Sequence, residues 1–561
     1  MNKFWYFTIK KPIYLFFILF IGSIFFIPLF GKDFLSVTVK PADVPFPEIV
    51  RKDGKYILYV DGKPYLILGA QLWNSSAWPS ILPGIWPQMK ELNCNTIEAP
   101  VYWEAIEPEP GKFNFAEVDS LVYGARKNGL RLVLLWFGSF KNGSMSYAPT
   151  WVETQPEKYP RMHDASGQPI QVLSVLSEVN LKADQRAFVQ LMRHLKEIDA
   201  EHKTVIMVQV ENEPGSLGTN RDYSPKANEL FNQNVPALLT QSLQKKSGTW
   251  EEMFGVDAPE AFNAYHIATF TDKIAAAGKE VYPLPMYANV WIRENFFQWP
   301  GEYPSGGPTS NMMDIWKAAA PNLFTLALDI YHQNVEDFRD LCEKYNRADN
   351  PLFIPEMGNG VHFARYQFYA LADYNAIGVA PYGIDPFHVS PHDKRDKTQL
   401  DAKFDEIAAN YNIFQKAMPA IINLQGTGQL KAVGEEEGLK ERLVSFDHYD
   451  MVVQFGFPTY QEPDTRSGRI MIGQLSDDEF ILIGFDTKFT FRPKYGSPYN
   501  KAEYVSIEEG YYEGDVWHRT RIWNGDAAYH STLPPQGAVI KVKLQRMASS
   551  QELQQKPNFE Q

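Results

Sequence analysis

Between Leu66 and Ala417 short apolar runs alternate with longer stretches of helical periodicity, and this alternation restricts the fold more than any other feature of the chain. Eight runs read as strands: Leu66 to Gln71, Thr96 to Tyr102, Arg131 to Trp136, Thr204 to Val210, Tyr282 to Asn289, Leu323 to Ile330, Leu352 to Glu356 and Ile377 to Tyr382. Helical patterns fall between or after them at Phe115 to Asn128, Asp184 to Ala200, Pro259 to Ala277, Val335 to Tyr345 and Asp401 to Ala417. In the second of these, Phe188, Leu191, Met192, Leu195 and Ile198 recur at intervals of three and four, which places them on one face of a helix. Parallel strands need crossovers of helical length, so eight such units predict an α/β chain folded as an (α/β)8 TIM barrel over residues 46–422. The barrel is preceded by a hairpin turning at Asp61-Gly62, a dipeptide suited to positive φ. Two connections, Lys141 to Asn180 and Asn289 to Pro321, are long and follow strand C-termini, so they are expected to overhang the mouth. Beyond Ile422 short β-like runs broken by Gly, Asp and Pro predict a C-terminal all-β domain, sandwich or barrel, over residues 423–547; residues 548–561 form a polar tail read as disordered.

A barrel gathers the C-terminal ends of its strands on one face. Two of those ends are glutamates: the fourth strand runs into Glu211-Asn-Glu213 and the seventh stops at Glu356. Period-two alternation puts Gln209, Glu211 and Glu213 on one side of the strand, so both glutamates are nominated as inward-pointing, with Glu213 nearer the rim. A bare carboxylate inside an apolar strand is costly, so it is either locked in a hydrogen-bond network or put to chemical use. Two confronting carboxylates are the minimum equipment for cleaving a glycosidic bond.

Strand ends alone nominate further rim residues: Gln71, Trp73 and Asn74, then Glu98 and Trp103, Lys141 and Asn142, and Tyr382 and Asp385. Glu98 could accept hydrogen bonds from sugar hydroxyls or anchor a barrel layer. The 11 histidines show no metal-ligand spacing, no Gly-x-Ser-x-Gly elbow occurs, and Gly426-Thr-Gly428 lacks the context of a phosphate loop. No metal and no cofactor are expected.

The segment Ile206-Met-Val-Gln-Val-Glu-Asn-Glu-Pro-Gly-Ser216 resembles the acid/base strand of clan A retaining glycoside hydrolases, in particular β-galactosidases of families 35 and 42. The likeness continues through Asn95 to Phe115 and in outline through Leu130 to Trp151, spanning roughly Tyr56 to Ala420. It implies that Glu213 is the acid/base, Glu356 the nucleophile, and Asn212 a partner of the sugar 2-hydroxyl, with Tyr331 set against the nucleophile. The chain departs from the family 35 pattern at Pro100 and at Phe140-Lys-Asn142, positions that hold the terminal sugar there. The implied activity is retaining release of terminal β-D-galactose. The alternatives are another β-glycosidase, acting on a β-xyloside or α-L-arabinopyranoside, and a non-catalytic carbohydrate-binding envelope protein.

The partner implied is an oligosaccharide or polysaccharide. A net charge of −13 without a dense basic run argues against a nucleic-acid surface. Lys3, Lys10 and Lys11 precede an uncharged stretch from Pro12 to Gly31, the grammar of an export signal or a retained membrane anchor over residues 1–31. Either places the folded body outside the cytoplasm, in the periplasm, on the membrane or beyond the cell. Cys94 and Cys342, the two cysteines, sit in apolar or helical surroundings and are expected to be buried thiols.

Overall fold

The computed structural model describes residues 44–295, 297–385, 398–456 and 467–548. The segment 1–31 read as an export signal or membrane anchor, the tail after Ala548 and the end of the run expected at Met451 to Phe457 lie outside these residues. Among the described residues no helix is long and apolar enough to cross a membrane.

Eight parallel strands form one sheet: β1 (Ile67–Leu68), β2 (Thr96–Tyr102), β3 (Arg131–Lys141), β4 (Val205–Asn212), β5 (Met286–Val290), β6 (Thr325–Ile330), β7 (Ile354–Met357) and β8 (Gly378–Pro381). Their order is β1-β8-β7-β6-β5-β4-β3-β2. The ring closes where Gln71 bridges Glu98, with Glu98 N–H donating to the Ala70 carbonyl at 2.8 Å and Leu72 N–H to the Glu98 carbonyl at 3.0 Å. Each strand is followed by a helix: α1 (Leu82–Leu92), α2 (Ala116–Lys127), α3 (Glu178–Asp199), α4 (Ala258–Val281), α5 (Met313–Ala319), α6 (Val335–Tyr345), α7 (Val361–Ala372) and α8 (Asp405–Leu424). Strand residues are buried on both faces, as parallel sheets covered by helices require.

The hairpin ahead of the barrel turns at Asp61 (φ 53°) and Gly62 (φ 72°), as the dipeptide predicts. A third strand, Glu48–Lys52, pairs with it through a second positive-φ turn at Asp53-Gly54. Three further features were not foreseen. Helix α1 carries Pro87 inside it, and Pro disguises a helix. In α7 every residue from Phe363 to Ala372 is buried, so no polar face exists to mark the period. Helix α3 starts six residues before Asp184, capped by Ser177, whose hydroxyl accepts from Asn180 N–H.

The long connection after β3 contains a short hairpin, Arg161–His163 with Pro169–Leu173. That after β5 contains α5. Beyond Leu430 the strands are antiparallel in two sheets. One has six strands in the order Leu430–Gly434, Arg469–Ser476, Glu479–Phe485, Ala538–Ala548, Tyr499–Glu513 and Val516–Ile522; the other has four. A core including Phe446, Phe480, Phe489, Phe491 and Ile540 lies within this β region. On the barrel side Met471, Ile481, Ile483, Phe485 and Val539 belong to the same continuous core as the barrel. Arg469 pins the junction: fully buried, it donates to Asn410 Oδ1 at 2.7 Å and pairs with Glu406 at 2.8 Å, both on α8. Both cysteines are free and buried.

Candidate active site

At the C-terminal mouth of the barrel a cavity of about 290 Å³ is lined by Glu213, Glu356 and Asp329, by Lys141, Asn142 and Asn74, and by Trp291, Ile292, Glu294, Tyr331 and Tyr382. Oxygens of Glu213, Asp329 and Glu356 all lie within 4.8 Å of one another. The two glutamates nominated from the sequence therefore face each other across one opening.

Glu213 reaches the cavity by a backbone device that alternation does not describe. Glu211 (φ 65°) and Glu213 (φ 45°) both adopt the left-handed region, unusual for non-glycine residues. The twist sends Glu211 away from the cavity, correcting the expectation that it shares a face with Glu213. Its Oε2 accepts the Phe140 N–H at 2.8 Å and its carboxyl neighbours that of Asp184 of α3. Asp184 in turn accepts from Trp136 Nε1 at 2.9 Å and from Ser139 N–H and Oγ at 2.8 and 2.6 Å. Burial, then the Asp184 charge, pushes the Glu211 carboxyl well above the usual range.

With Glu211 turned out, consecutive residues Asn212 and Glu213 both serve the site. Asn212 Oδ1 accepts from Lys141 Nζ at 2.7 Å, while its buried Nδ2 has no protein partner. The Glu213 N–H donates to Asn289 Oδ1 at 2.8 Å. Burial, and next the Glu356 charge, raise the Glu213 carboxyl to about 7, against the pull of Lys141.

Glu356 sits beside Asp329 in the β6–β7 register. It accepts from Gln71 Nε2 at 3.0 Å on one oxygen and from the Tyr331 hydroxyl at 2.5 Å on the other. Gln71 thus holds the carboxylate from below and is absent from the cavity wall. Tyr331 and Tyr382 line the wall, and Tyr382 packs edge-on against Trp73 at 4.8 Å. Asn142 (φ 53°) and Asn74 each present a buried amide oxygen without a partner.

Besides Gln71, the expected rim residues Trp73, Glu98, Trp103 and Asp385 do not line the cavity. Trp103 is fully buried, its Nε1 donating to Glu107 Oε2 at 3.3 Å and its ring edge-on to Trp151, because the chain enters a helical turn directly at that residue. Glu98 is also fully buried, in a layer beneath Glu356 and near the Tyr287 hydroxyl, and burial followed by the Glu356 charge holds its carboxyl well above the ordinary range. Asp385 receives Trp73 N–H and Ser76 Oγ at 2.8 and 2.7 Å and braces the loop after β1.

Asp329, Asn289, Trp291 and Glu294 are site residues the sequence reading passed over. Asp329 had a signal: it lies two residues before Tyr331 on the same strand and so shares its face. Asn289, at the end of β5, had only its position. Trp291 and Glu294 sit in the long connection, where no period applies. Three carboxyls this close could chelate a cation or share protons, and Lys141 beside them supplies a positive charge.

Fold and site together define an (α/β)8 barrel with confronting carboxyls at its mouth. Residues 72–258 match the family model described as Beta-galactosidase, and residues 407–533 match a domain of unknown function; the barrel is similar to those of β-galactosidases. The chain is 31% identical over 104 residues to Beta-galactosidase 11 of Arabidopsis thaliana, covering 18% of this chain and 12% of that one. It is 26% identical over 269 residues to Beta-galactosidase 10 of the same plant, covering 45% and 31%. The chain thus spans less than a third of the length of these relatives. Among solved structures, a β-galactosidase from the psychrophilic Marinomonas ef1 aligns with a TM-score of 0.45 at 14% identity, over 63% of this chain and 60% of that one. A catalytic mutant of a family 42 β-galactosidase from G. stearothermophilus aligns with a TM-score of 0.45 at 18% identity, over 64% and 57%.

Proposed function

We propose that this chain is a retaining exo-glycoside hydrolase that releases terminal β-D-galactose from oligosaccharide or polysaccharide β-galactosides. The observation that carries the reading is the approach of Glu213 and Glu356 to within 4.8 Å across a single cavity. Retaining enzymes hold their carboxyls about 5 to 5.5 Å apart, whereas inverting ones leave roughly 6.5 to 9.5 Å for a water. A cavity of about 290 Å³ suits one sugar ring at a chain end.

Glu356, oriented by Gln71 and Tyr331, attacks the anomeric carbon as a carboxylate; the bond to the leaving oxygen breaks and that oxygen takes the Glu213 proton. Water then attacks the same carbon, Glu213 removes its proton, and the Glu356 ester bond breaks. The unpaired Asn212 Nδ2 supports a role for this residue at the sugar 2-hydroxyl, and the cavity residues Trp291, Asn74 and Asn142 support an aromatic face and two acceptors for the ring.

A panel of aryl glycosides tests the reading, with β-D-galactoside, β-D-xyloside and α-L-arabinopyranoside as arms. The galactoside is expected to turn over fastest with retention of configuration. Glu356→Gln and Glu213→Gln are each expected to lower kcat by about 10² to 10⁴-fold. Turnover indifferent to both changes would defeat the enzymatic reading; binding without turnover would favour a carbohydrate-binding envelope protein. Faster xyloside or arabinopyranoside turnover would reassign the sugar. We further propose that the protein works outside the cytoplasm, supported by the lysines and uncharged stretch of residues 1–31, and cell fractionation tests this.

A further inference from the structure

The cavity holds one carboxyl more than the two-carboxylate mechanism uses. Asp329 is only 3% exposed, lines the cavity, and has its backbone in register with Glu356. Asn289 ties it to the acid/base residue: its Nδ2 donates to Asp329 Oδ2 at 2.7 Å while its Oδ1 accepts the Glu213 N–H at 2.8 Å. That leaves Asp329 Oδ1 and Glu213 Oε2 as buried oxygens without a donor, on carboxyls whose oxygens approach within 4.8 Å, so that each is the other's available hydrogen-bond partner. Two carboxyl groups can bond in this way only when one carries a proton.

The remaining titratable groups facing the pair are Glu356 from β7, Lys141 from β3, Tyr287 from β5, Glu294 after it, Tyr331 after β6 and Tyr345 from α6. They supply one cation, Lys141, against two further carboxyls. Full ionisation of the cluster would leave several crowded negative charges in a dry site.

Resting on the glycosidase reading, we propose that Asp329 is a positioning residue: it keeps its own proton throughout the reaction and points it at Glu213, steadying that residue each time it becomes a carboxylate. Glu213 then exchanges its proton with the leaving group and with water, and Asp329 exchanges none. The direction of titration agrees. Burial, then the charges of Glu356 and Glu213, hold the Asp329 carboxyl well above the ordinary range.

The pH dependence of kcat/KM for the aryl galactoside, measured on the full-length protein and on Asp329→Asn and Asp329→Ala, separates the possibilities. Asparagine retains an N–H donor, so its alkaline limb should stay within a few tenths of a pH unit of the unmodified protein. Alanine removes the donor, so its limb should move up by about one pH unit. A downward shift in both variants would mean that Asp329 is a charged neighbour, and a uniform loss of rate without any shift would mean that it is structural; either overturns the proposal. Infrared difference spectra between the unmodified protein and Asp329→Asn at pH 8 supply a readout independent of turnover. A protonated carboxylic C=O band that vanishes in the variant is expected, and its absence overturns the proposal. Loss of all galactoside turnover by the unmodified protein would instead sink the glycosidase reading, leaving the band to report on Asp329 alone.

Discussion

Glu213 is placed so that burial and Glu356 raise its carboxyl while Lys141 lowers it, with a balance at about 7. The acid form donates to the leaving group, so activity should fall as pH rises through that value. Lys141→Met keeps an unbranched chain against Phe137, over which the ammonium now sits at 5.0 Å, but deletes the charge. Removing a stabilising cation disfavours the Glu213 carboxylate, so the alkaline limb of kcat/KM should move upward in this variant. It should also lose affinity, since Lys141 holds Asn212 Oδ1 and thereby aims the free Nδ2. A pH profile with an unmoved limb would mean that Lys141 acts only as a tether.

At the scale of elements, the end of β4 shows how a strand delivers two adjacent side chains to one place. The left-handed turn at Glu211 is braced by its bond from Phe140 N–H, beside the Asp184 carboxyl. Glu211→Ala should leave the buried Phe140 N–H unpaired and lower stability by about 1 to 3 kcal/mol. It should also lower kcat by letting Asn212 and Glu213 drift. Glu211→Gln retains an acceptor for Phe140 and a donor for Asp184, and should preserve both properties; chemical denaturation together with steady-state rates checks this.

The same strand marks the boundary of what the residues reveal unaided. All eight barrel strands and the positions of Glu213 and Glu356 were legible because apolar runs and chain punctuation are local signals. Glu211 was misassigned because a reversal of φ cannot be read from alternation. Asp329 was legible in principle from its spacing to Tyr331. Helix α7 was not, since an element covered on all sides leaves no polar stripe in its sequence.

For the whole molecule the count of buried acids sets the response to pH. Glu98, Glu211 and Asp329 are each held well above their ordinary values, chiefly by burial. In the unfolded chain such groups ionise near pH 4, so above that point the folded state binds more protons than the unfolded one. Their contribution is present in acid and is lost as pH rises, at about 1.4 kcal/mol per pH unit for each extra proton retained. His266, lowered to about 4 by burial, acts in the opposite sense, but only below its unfolded value of 6.5. Thermal unfolding should therefore show a Tm that declines from pH 6.5 to 9, with a shallower slope in the Glu98→Gln variant. The continuous packing of α7 and α8 against Met471, Ile481 and Phe485 bears on how such a protein can evolve. Shuffling the catalytic half onto another partner would strip oil-like faces bare on both fragments, so the two regions are bound to be inherited as one piece.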